Sequence, residues 1–522
     1  GNLAYGIEAA ADTYFNTTAE KLDLAQSAFL AGLPQAPSVY DIFTNRDATL
    51  NRNKQVLTAM YNVGREKNCI RVSNSSQPIC VEAQQAADAF IAIDSYNFVQ
   101  KANPMVYPHW VNYIRYLLET KYDPQTIYRS GFRVYTTLDP KLQQQADRIV
   151  KEQVNSLAEK HVTDGALVSI QPQTGEILAM TGSADFYNDA IAGQINMALQ
   201  PRQPGSSIKP LTYAAAFEKG WTPATIVWDV PSEFPPSGDP NDPSAPYLPA
   251  NYDGEFHGPQ SVRSALANSY NIPAVKALQY VGIYDDPNTN GEDGMLAFTR
   301  RMGITTLTRN DYGLSLTLGG GEVTLLEMTS AYGVFANNGK RVEPYAITKI
   351  TDYQGNVIFE AESPRADQMI TPQYAYLITS ILSDKAARAP MFGTDSILNL
   401  DFPAAAKTGT TNNYKDNWTI GYTPNLVTGV WVGNADNSSM ENVSGIAGAA
   451  PIWHQFMAEA VPYLTNNTPA DFAMPDGIVQ KTVCVYSGSE PSDYCPKTRT
   501  EIFSADRLPP TAEDDLWKKV TI

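Results

Sequence analysis

Apolar residues recur every three or four positions along the first part of the chain. This spacing predicts amphipathic helices over four runs: 5–15, 22–33, 52–63 and 81–92. The second run ends at Gly32-Leu33-Pro34, which is typical of a helix end. The polar segment from Cys69 to Cys80 interrupts the pattern and predicts a loop.

Near residue 131 the helical spacing of apolar residues is replaced by an alternating pattern of side chains, which is typical of a strand. Residues 132–137 alternate and are rich in β-branched residues, which predicts a strand, and Pro140 then begins a polar helix that extends to about Leu157. Two further pairs of strands are predicted around short turns: 166–170 with 176–180, and 417–422 with 426–432. Residues 221 to about 382 are predicted to be helical with long polar loops, of which 231–249 is irregular. We therefore predict an α/β unit whose sheet is closed by antiparallel strands distant in sequence.

Length and charge exclude several classes of protein. The chain has 522 residues, which favours two or more compact units. Its net charge of −17 argues against a general nucleic-acid binder, because no broad basic surface is available to neutralise phosphates. No run of about 18 apolar residues predicts a membrane span. The first residues lack both a Met and a signal-peptide pattern, so we expect the chain to begin inside a larger protein.

The four cysteines form two local pairs with equal spacing, Cys69 with Cys80 and Cys484 with Cys495. An even number of locally paired cysteines is compatible with two disulfides in an oxidising compartment, and four free thiols are the alternative. Zinc is disfavoured, because no Cys-x-x-Cys or paired-histidine spacing accompanies them.

One lysine has an unusual setting. Lys209 stands among small and apolar residues, three positions after Ser206. Because proline is tolerated only in the first turn of a helix, Pro210 predicts a helix that starts near Ser206. The Lys209 amine would then lie close enough to contact the Ser206 hydroxyl, and a neutral lysine can activate a serine nucleophile. The free N–H groups of the helix start would stabilise an oxyanion. A single S-x-x-K is weak evidence, because a chain of this length contains roughly one or two by chance.

Two further motifs follow in the chain. Ser269-Tyr270-Asn271 precedes an apolar helix, and Lys407-Thr408-Gly409-Thr410 follows three alanines in a predicted strand. The order S-x-x-K, S-x-N, K-T-G is the combination found in penicillin-binding proteins and serine β-lactamases. Tyr270 stands where the β-lactamase motif has Asp, which disfavours a β-lactamase.

The chain resembles the bifunctional class A penicillin-binding proteins, which polymerise and cross-link peptidoglycan. The resemblance includes YTTLDPKLQQQA, GALVSIQPQTGEILAMTGS and LGGGEVTLLEMTSAYGVFANNGK, and it covers residues 1 to about 460. It implies a multi-domain α/β protein with the penicillin-binding transpeptidase fold, similar to the serine β-lactamases. In this fold an antiparallel five-stranded sheet lies between helical layers, preceded here by a helical glycosyltransferase remnant. The implied segments are the remnant, a linker region, the transpeptidase domain and a C-terminal tail or small module: 1–65, 66–160, 161–465 and 466–522.

The resemblance also implies residue roles in a serine acyl-enzyme mechanism. Ser206 would attack the penultimate D-Ala of a stem peptide, with Lys209 as the base. Ser269 and Asn271 would relay the proton and hold the substrate amide, and Lys407 completes the implied catalytic set.

The implied substrate-binding residues lie on one strand. Lys407, Thr408 and Thr410 would bind the substrate carboxylate, and Gly409 would leave the strand edge open for a peptide to pair with it. The backbone N–H groups of Ser206 and Thr410 would form the oxyanion hole.

The implied partners are stem peptides ending in D-Ala-D-Ala and β-lactam antibiotics, with no cofactor, metal or nucleic acid. The implied location is the extracytoplasmic face of the bacterial membrane, attached through an anchor outside this sequence, where both cysteine pairs would be disulfides. The start of the chain resembles the last part of a family 51 glycosyltransferase domain. The catalytic glutamates of that family have no counterpart here, and Glu8 is predicted to be structural. Glycan polymerisation is therefore expected only of a longer parent protein.

Two alternatives remain at this point. A D,D-carboxypeptidase or β-lactamase would use water as the acceptor, and a penicillin-binding sensor would not be catalytic. The histidines His109, His161, His257 and His454 are predicted to be structural or on the surface. Gly319–Gly321 is predicted to be a turn, and Trp418, Tyr422 and Trp431 are predicted to pack in the sheet.

Overall fold

The computed structural model describes residues 4, 6–37, 39–67, 69, 77–99, 105–289 and 291–517. The chain divides into two compact units, Gly1–Val106 and Tyr107–Ile522, which are described separately. None of the helices in these described ranges is long and apolar enough to cross a membrane.

The first unit is helical. Its helices are α1 (Gly6–Phe15), α2 (Leu24–Gly32), α3 (Arg46–Glu66) and α4 (Ala83–Asp94). Each predicted helical run is confirmed, and stacked Phe29 and Phe98 rings 4.9 Å apart lie in the core. The carboxylate of Glu8, which is predicted to be structural, accepts a hydrogen bond from Ala19 N at 2.9 Å. The predicted loop between the cysteines lies mostly outside the described residues.

The second unit contains both helices and strands. The helices are α5 (Pro108–Lys121), α6 (Pro124–Ser130), α7 (Pro140–Ser156), α8 (Lys209–Glu218), α9 (Val262–Ala267), α10 (Asn271–Val281), α11 (Met295–Arg301), α12 (Leu325–Ala336), α13 (Pro372–Leu382), α14 (Lys385–Phe392) and α15 (Ala449–Leu464). The strands are β1 (Arg133–Thr136), β2 (Asp164–Ile170), β3 (Ile177–Thr181), β4 (Ile226–Asp229), β5 (Gly258–Ser261), β6 (Lys340–Val342), β7 (Ile347–Thr351), β8 (Val357–Glu360), β9 (Ala366–Gln368), β10 (Ala405–Thr410), β11 (Asp416–Tyr422), β12 (Val427–Gly433), β13 (Ile478–Cys484) and β14 (Thr498–Ser504).

The main sheet has five antiparallel strands in the order β10-β11-β12-β2-β3. The pairing of β12 with β2 joins segments distant in sequence, as predicted. Alternate residues of β2 pack on opposite faces: Ala166 and Val168 share a core with α8 and α12, and Leu167 shares a core with α7 and α15. The sheet therefore lies between two helical layers, which confirms the predicted fold class.

Several short strands lie in the region that was predicted to be only helical. They are β4 to β9, and β7 pairs with β1 on one side and with β8 on the other. Three to five residues with partly exposed faces give too weak an alternation to be recognised in the sequence. The C-terminal segment contains the β13–β14 hairpin.

Both predicted disulfides are present, Cys69–Cys80 and Cys484–Cys495. The second connects the end of β13 to the turn that precedes β14, so it stabilises the hairpin by closing a short loop.

Candidate active site

Ser206 lies in a short 3₁₀ helix, Gly205–Ile208, that leads directly into α8. The α-helix itself begins at Lys209 with Pro210 in its first turn, so the helical segment starts near Ser206 as predicted, with a 3₁₀ turn before the α-helix. Gly205 has a φ of +54°, which glycine adopts readily and which makes this tight start possible. Ser207 is buried and donates its hydroxyl to Pro204 O at 2.7 Å, whereas Ser206 is only partly buried.

Three glycines allow neighbouring backbones to approach the Ser206 segment. A Cβ on Gly409 would lie 2.2 Å from Pro204 O, and one on Gly319 would lie 2.3 Å from Gly205 N. A Cβ on Gly205 would lie 2.8 Å from Thr410 N. The space that a Cβ on Gly409 would occupy is filled by the Ser206 segment, and β10 lies at the edge of its sheet, so the expected pairing of this edge with a peptide stays a prediction. Glycine is required at these positions because backbone atoms cannot move aside as flexible side chains do.

The Lys209 amine is fully buried and contacts the S-x-N turn. Nζ donates to Ser269 O at 2.6 Å, Asn271 Oδ1 at 2.7 Å and Tyr270 O at 3.2 Å. The contact predicted between this amine and the Ser206 hydroxyl is not among the hydrogen bonds of the described residues. The physical reason is that the turn offers three strong acceptors to one amine. Burial and the nearby Lys407 charge lower the pKa of Lys209 well below its usual value, and Asp229 opposes this shift.

The Ser269 hydroxyl connects the two buried lysines. Lys407 Nζ donates to Ser269 Oγ at 2.8 Å and to Thr408 O at 2.8 Å, and Lys209 Nζ lies 3.4 Å from the same hydroxyl. Burial, together with the Arg388 charge, lowers the pKa of Lys407 to about 7. A hydroxyl between two amines of lowered pKa is well placed to pass a proton.

All three motifs meet at one cavity of about 1060 Å³. Its lining includes the partly exposed motif residues Ser206, Ser269, Asn271 and Thr410, and the buried Thr408. Lys209 and Lys407 lie behind them, connected through Ser269. The predicted site residues are therefore brought together in one place.

The sequence interpretation missed other parts of the cavity wall. Leu248, Asn251 and Tyr252 come from the end of the loop between β4 and β5, and Arg309 and Tyr414 come from other loops. Loop residues without a fixed spacing to a motif give no signal in one sequence.

His257 lies beside a motif residue, although it was predicted to be structural or on the surface. Its ring stacks on Tyr270 with centroids 4.0 Å apart, and Nδ1 is 2.7 Å from Asp229 Oδ2. The sheet aromatics Trp418 and Trp431 are buried, as predicted.

The fold and the site define the class of protein. A serine at a helix start, two buried lysines joined by a second serine, and a five-stranded antiparallel sheet are the features of penicillin-reactive serine acyltransferases.

Family comparisons identify the chain more closely. The penicillin binding protein transpeptidase domain matches residues 165–458, the transglycosylase domain matches 1–61, and the penicillin-binding protein 1A C-terminal domain matches 474–518. Penicillin-binding protein 2D of Bacillus subtilis is 30% identical over 99% of this chain and 74% of its own length. Penicillin-binding protein 1A of Neisseria meningitidis serogroup A is 28% identical over 92% of this chain and 69% of its own length. The chain belongs to the class A penicillin-binding proteins.

Solved structures agree on the fold. Penicillin-binding protein 1A from Haemophilus influenzae aligns with a TM-score of 0.72 at 24% identity, covering 97% of this chain and 89% of that one. PonA1 from Mycobacterium tuberculosis in complex with penicillin V aligns with a TM-score of 0.58 at 25% identity, covering 70% of this chain and 96% of that one.

These findings establish the general function. The matched domains are those of a bifunctional penicillin-binding protein, an acyltransferase that binds β-lactams and cross-links peptidoglycan. They do not favour the carboxypeptidase or sensor alternatives.

Proposed function

We propose that this chain is a serine D,D-transpeptidase that forms its acyl-enzyme at Ser206 and takes stem peptides ending in D-Ala-D-Ala as donors. The observation that carries the proposal is the position of Ser206. It lies in the cavity where the three motifs meet, whereas the neighbouring Ser207 hydroxyl is buried and bonded to Pro204 O.

In the acylation step, Ser206 Oγ forms a bond with the carbonyl carbon of the penultimate D-Ala. The proton of its hydroxyl passes to the neutral Lys209 amine and then to the departing nitrogen of the terminal D-Ala, whose C–N bond breaks. Burial favours the neutral amine that this step needs. Hydrogen bonds between nucleophile and base are often incomplete before substrate binds, so Lys209 remains the proposed base.

Ser269 and Asn271 are proposed to support this transfer. The Ser269 hydroxyl provides a proton path between Lys209 and Lys407, and Asn271 Oδ1 holds the Lys209 amine at 2.7 Å. Backbone N–H groups of Ser206 and Thr410 would stabilise the oxyanion, and the closeness of Gly205 to Thr410 N supports that arrangement.

The K-T-G strand is proposed to bind the substrate carboxylate. Thr410 Oγ1 accepts from Gly445 N at 2.9 Å, so its hydroxyl proton remains available to a carboxylate. Thr408 lines the same cavity, and the Lys407 charge lies directly behind it. Gly409 contributes by letting this strand approach the nucleophile.

In the second step an amine from another stem peptide attacks the acyl carbon. The new N–C bond replaces the Ser206 ester, while the neutral Lys209 takes a proton from the attacking amine and passes it to the departing Ser206 Oγ. Two disulfides support placing this reaction outside the cytoplasm, at the extracytoplasmic face of the membrane. We further propose the division into segments 1–65, 66–160, 161–465 and 466–522, of which 161–465 carries this chemistry.

Labelling with a fluorescent penicillin tests the nucleophile. Ser206→Ala is expected to abolish covalent labelling, and Ser207→Ala is the matched control that retains it. Mapping of the label to Ser269 would contradict the proposal. A synthetic donor ending in D-Ala-D-Ala, supplied with an amine acceptor, should yield the transfer product, whereas hydrolysis alone would indicate a carboxypeptidase.

A further inference from the structure

The two ends of the long loop between β4 and β5 lie close together, beside the S-x-N turn Ser269–Asn271. Strand β4 ends at Asp229, which pairs with Gly258 at the start of β5, so the loop is closed at its base. Asp229 is fully buried. Its carboxylate accepts from Asn251 Nδ2 at 2.8 and 3.0 Å and from His257 N at 3.0 Å, and it contacts His257 Nδ1 at 2.7 Å. The carboxylate therefore organises the two ends of the loop.

The same loop holds the S-x-N turn through its backbone and side chains. Asn251 Oδ1 accepts from Asn271 N at 2.7 Å, and Ala250 O accepts from Asn271 Nδ2 at 2.6 Å. The His257 ring stacks on Tyr270 with an interplanar angle of 18°. Two consecutive residues of the motif are thus fixed by one loop.

The turn needs such support. Ser269 has a φ of +62°, a left-handed conformation that is unfavourable for residues other than glycine and persists only where the surroundings hold it. Asn271 must also present Oδ1, and not Nδ2, to the Lys209 amine. Ala250 O accepts from the opposite end of that amide and so selects the orientation.

We propose that Asp229, Asn251 and His257 are positioning residues for acyl transfer, which hold the Ser269–Asn271 turn against Lys209 and place a buried negative charge near its amine. This inference rests on the proposed roles of Ser206 and Lys209. According to this inference, the loop between β4 and β5 belongs to the active site, because its residues position the turn that contacts Lys209.

Several charged or titratable groups surround these residues. Lys209, Lys276, His257, Tyr213 and Tyr270 face Asp229, Asp253 contacts His257 Nε2 at 3.2 Å, Lys407 faces Lys209, and Arg388 faces Lys407. Asp229 is the group that opposes the lowered pKa of Lys209. Removing its charge lowers that pKa further, so the neutral amine would form at lower pH.

Two variants separate the positioning effect from the charge effect. Asn251→Ala keeps the carboxylate of Asp229 but removes the hydrogen bonds that Asn251 makes to the turn and to that carboxylate. It should reduce the rate constant of acylation by a fluorescent penicillin by about tenfold at every pH. Asp229→Asn should also slow acylation. In addition, it should shift the acidic limb of the pH–rate profile to lower pH by roughly half a pH unit. The 522-residue chain is used throughout.

Controls distinguish these effects from loss of structure. Glu362→Gln removes one exposed negative charge elsewhere and should leave both rate and profile unchanged. The final extent of labelling reports the folded fraction, so rates are compared per labelled molecule. If Asp229→Asn does not fold, His257→Phe keeps a ring over Tyr270 and removes the contact with Asp229. It should acylate faster than His257→Ala and more slowly than the unaltered chain.

Two results would overturn the inference. One is an acylation rate constant in Asn251→Ala equal to that of the unaltered chain. The other is an Asp229→Asn pH–rate profile with lower rate constants but with its acidic limb at the same pH. Either result, obtained with the label still mapped to Ser206, leaves the proposed nucleophile intact. Loss of labelling at Ser206 in the unaltered chain would instead refute the proposed function itself.

Discussion

Gly409→Ala is the sharpest test of how the nucleophile is positioned. The added Cβ would lie 2.2 Å from Pro204 O and 3.0 Å from Ser207 N. A carbon–oxygen contact normally needs about 3.3 Å or more, so Pro204 must retreat by about 1 Å. Both neighbours are backbone atoms on either side of Ser206, and the movement therefore reaches the nucleophile directly.

The expected cost has two parts. Overpacking of this kind costs about 1–3 kcal/mol of unfolding free energy. A displacement of about 1 Å at a reacting group can reduce a catalytic rate by about 10²-fold. We expect Gly409→Ala to lower the acylation rate constant by about two orders of magnitude, which is more than the stability loss explains.

The assay follows labelling by a fluorescent penicillin at 25 °C, with thermal unfolding measured on the same samples. Gly291→Ala is the matched control, because no heavy atom lies within 4 Å of the Cβ it adds. Acylation of Gly409→Ala within about twofold of the unaltered chain would refute the reasoning, since the rigid approach of the strand would then not determine the position of Ser206.

Three further predictions concern buried charges. Glu501→Gln should destabilise the chain by about 3 kcal/mol in chemical denaturation, because Glu501 is buried and paired with Arg263 at 2.6 Å; a change below about 0.5 kcal/mol would contradict this. The pKa of Lys407 is about 7, so binding of a penicillin carboxylate should weaken as pH rises through that value. Lys407→Arg should remove this alkaline loss, and an identical pH profile would contradict the assignment. Burial raises the pKa of Asp164 to about 7, so its contribution to stability is complete below the unfolded pKa of about 3.9 and is lost as pH rises toward 7. In denaturation curves, the free energy of unfolding of Asp164→Asn should therefore increase relative to that of the unaltered chain as pH rises from about 4 to 7. A difference in unfolding free energy that does not change with pH would contradict this.

The sequence was sufficient for elements whose pattern is set by burial. Strands β2, β11 and β12 are buried along their whole length, so their apolar and β-branched runs were recognisable. Strands such as β6 and β8 are short and partly exposed, and tertiary pairing determines them. Local patterns cannot contain that information.

The same distinction applies to the site. The three motifs were recognisable because residue type and spacing carry their chemistry. The hydrogen-bond partners of the Lys209 amine could not be recognised in the sequence, because these acceptors lie about sixty residues away in the chain. Asp229 and Asn251 were missed for a similar reason, since their contacts with the S-x-N turn depend on the closure of a long loop.

The charge balance of the site supports the proposal that its substrate carries a carboxylate. Although the chain carries a net charge of −17, Lys209, Lys407 and Arg388 are buried around the motifs, and Asp229 is the buried carboxylate that faces Lys209. Uncompensated cations in a low-dielectric interior lower each other's pKa, as Arg388 does for Lys407. A bound carboxylate near Lys407 would restore a counter-charge, so it would favour the charged form of that lysine. Lys209 has Asn271 Oδ1 and two backbone carbonyls as its nearest partners, and it would remain the more easily neutralised amine. Substrate binding would thereby leave Lys407 charged, so that it holds the substrate, and Lys209 neutral, so that it accepts the proton.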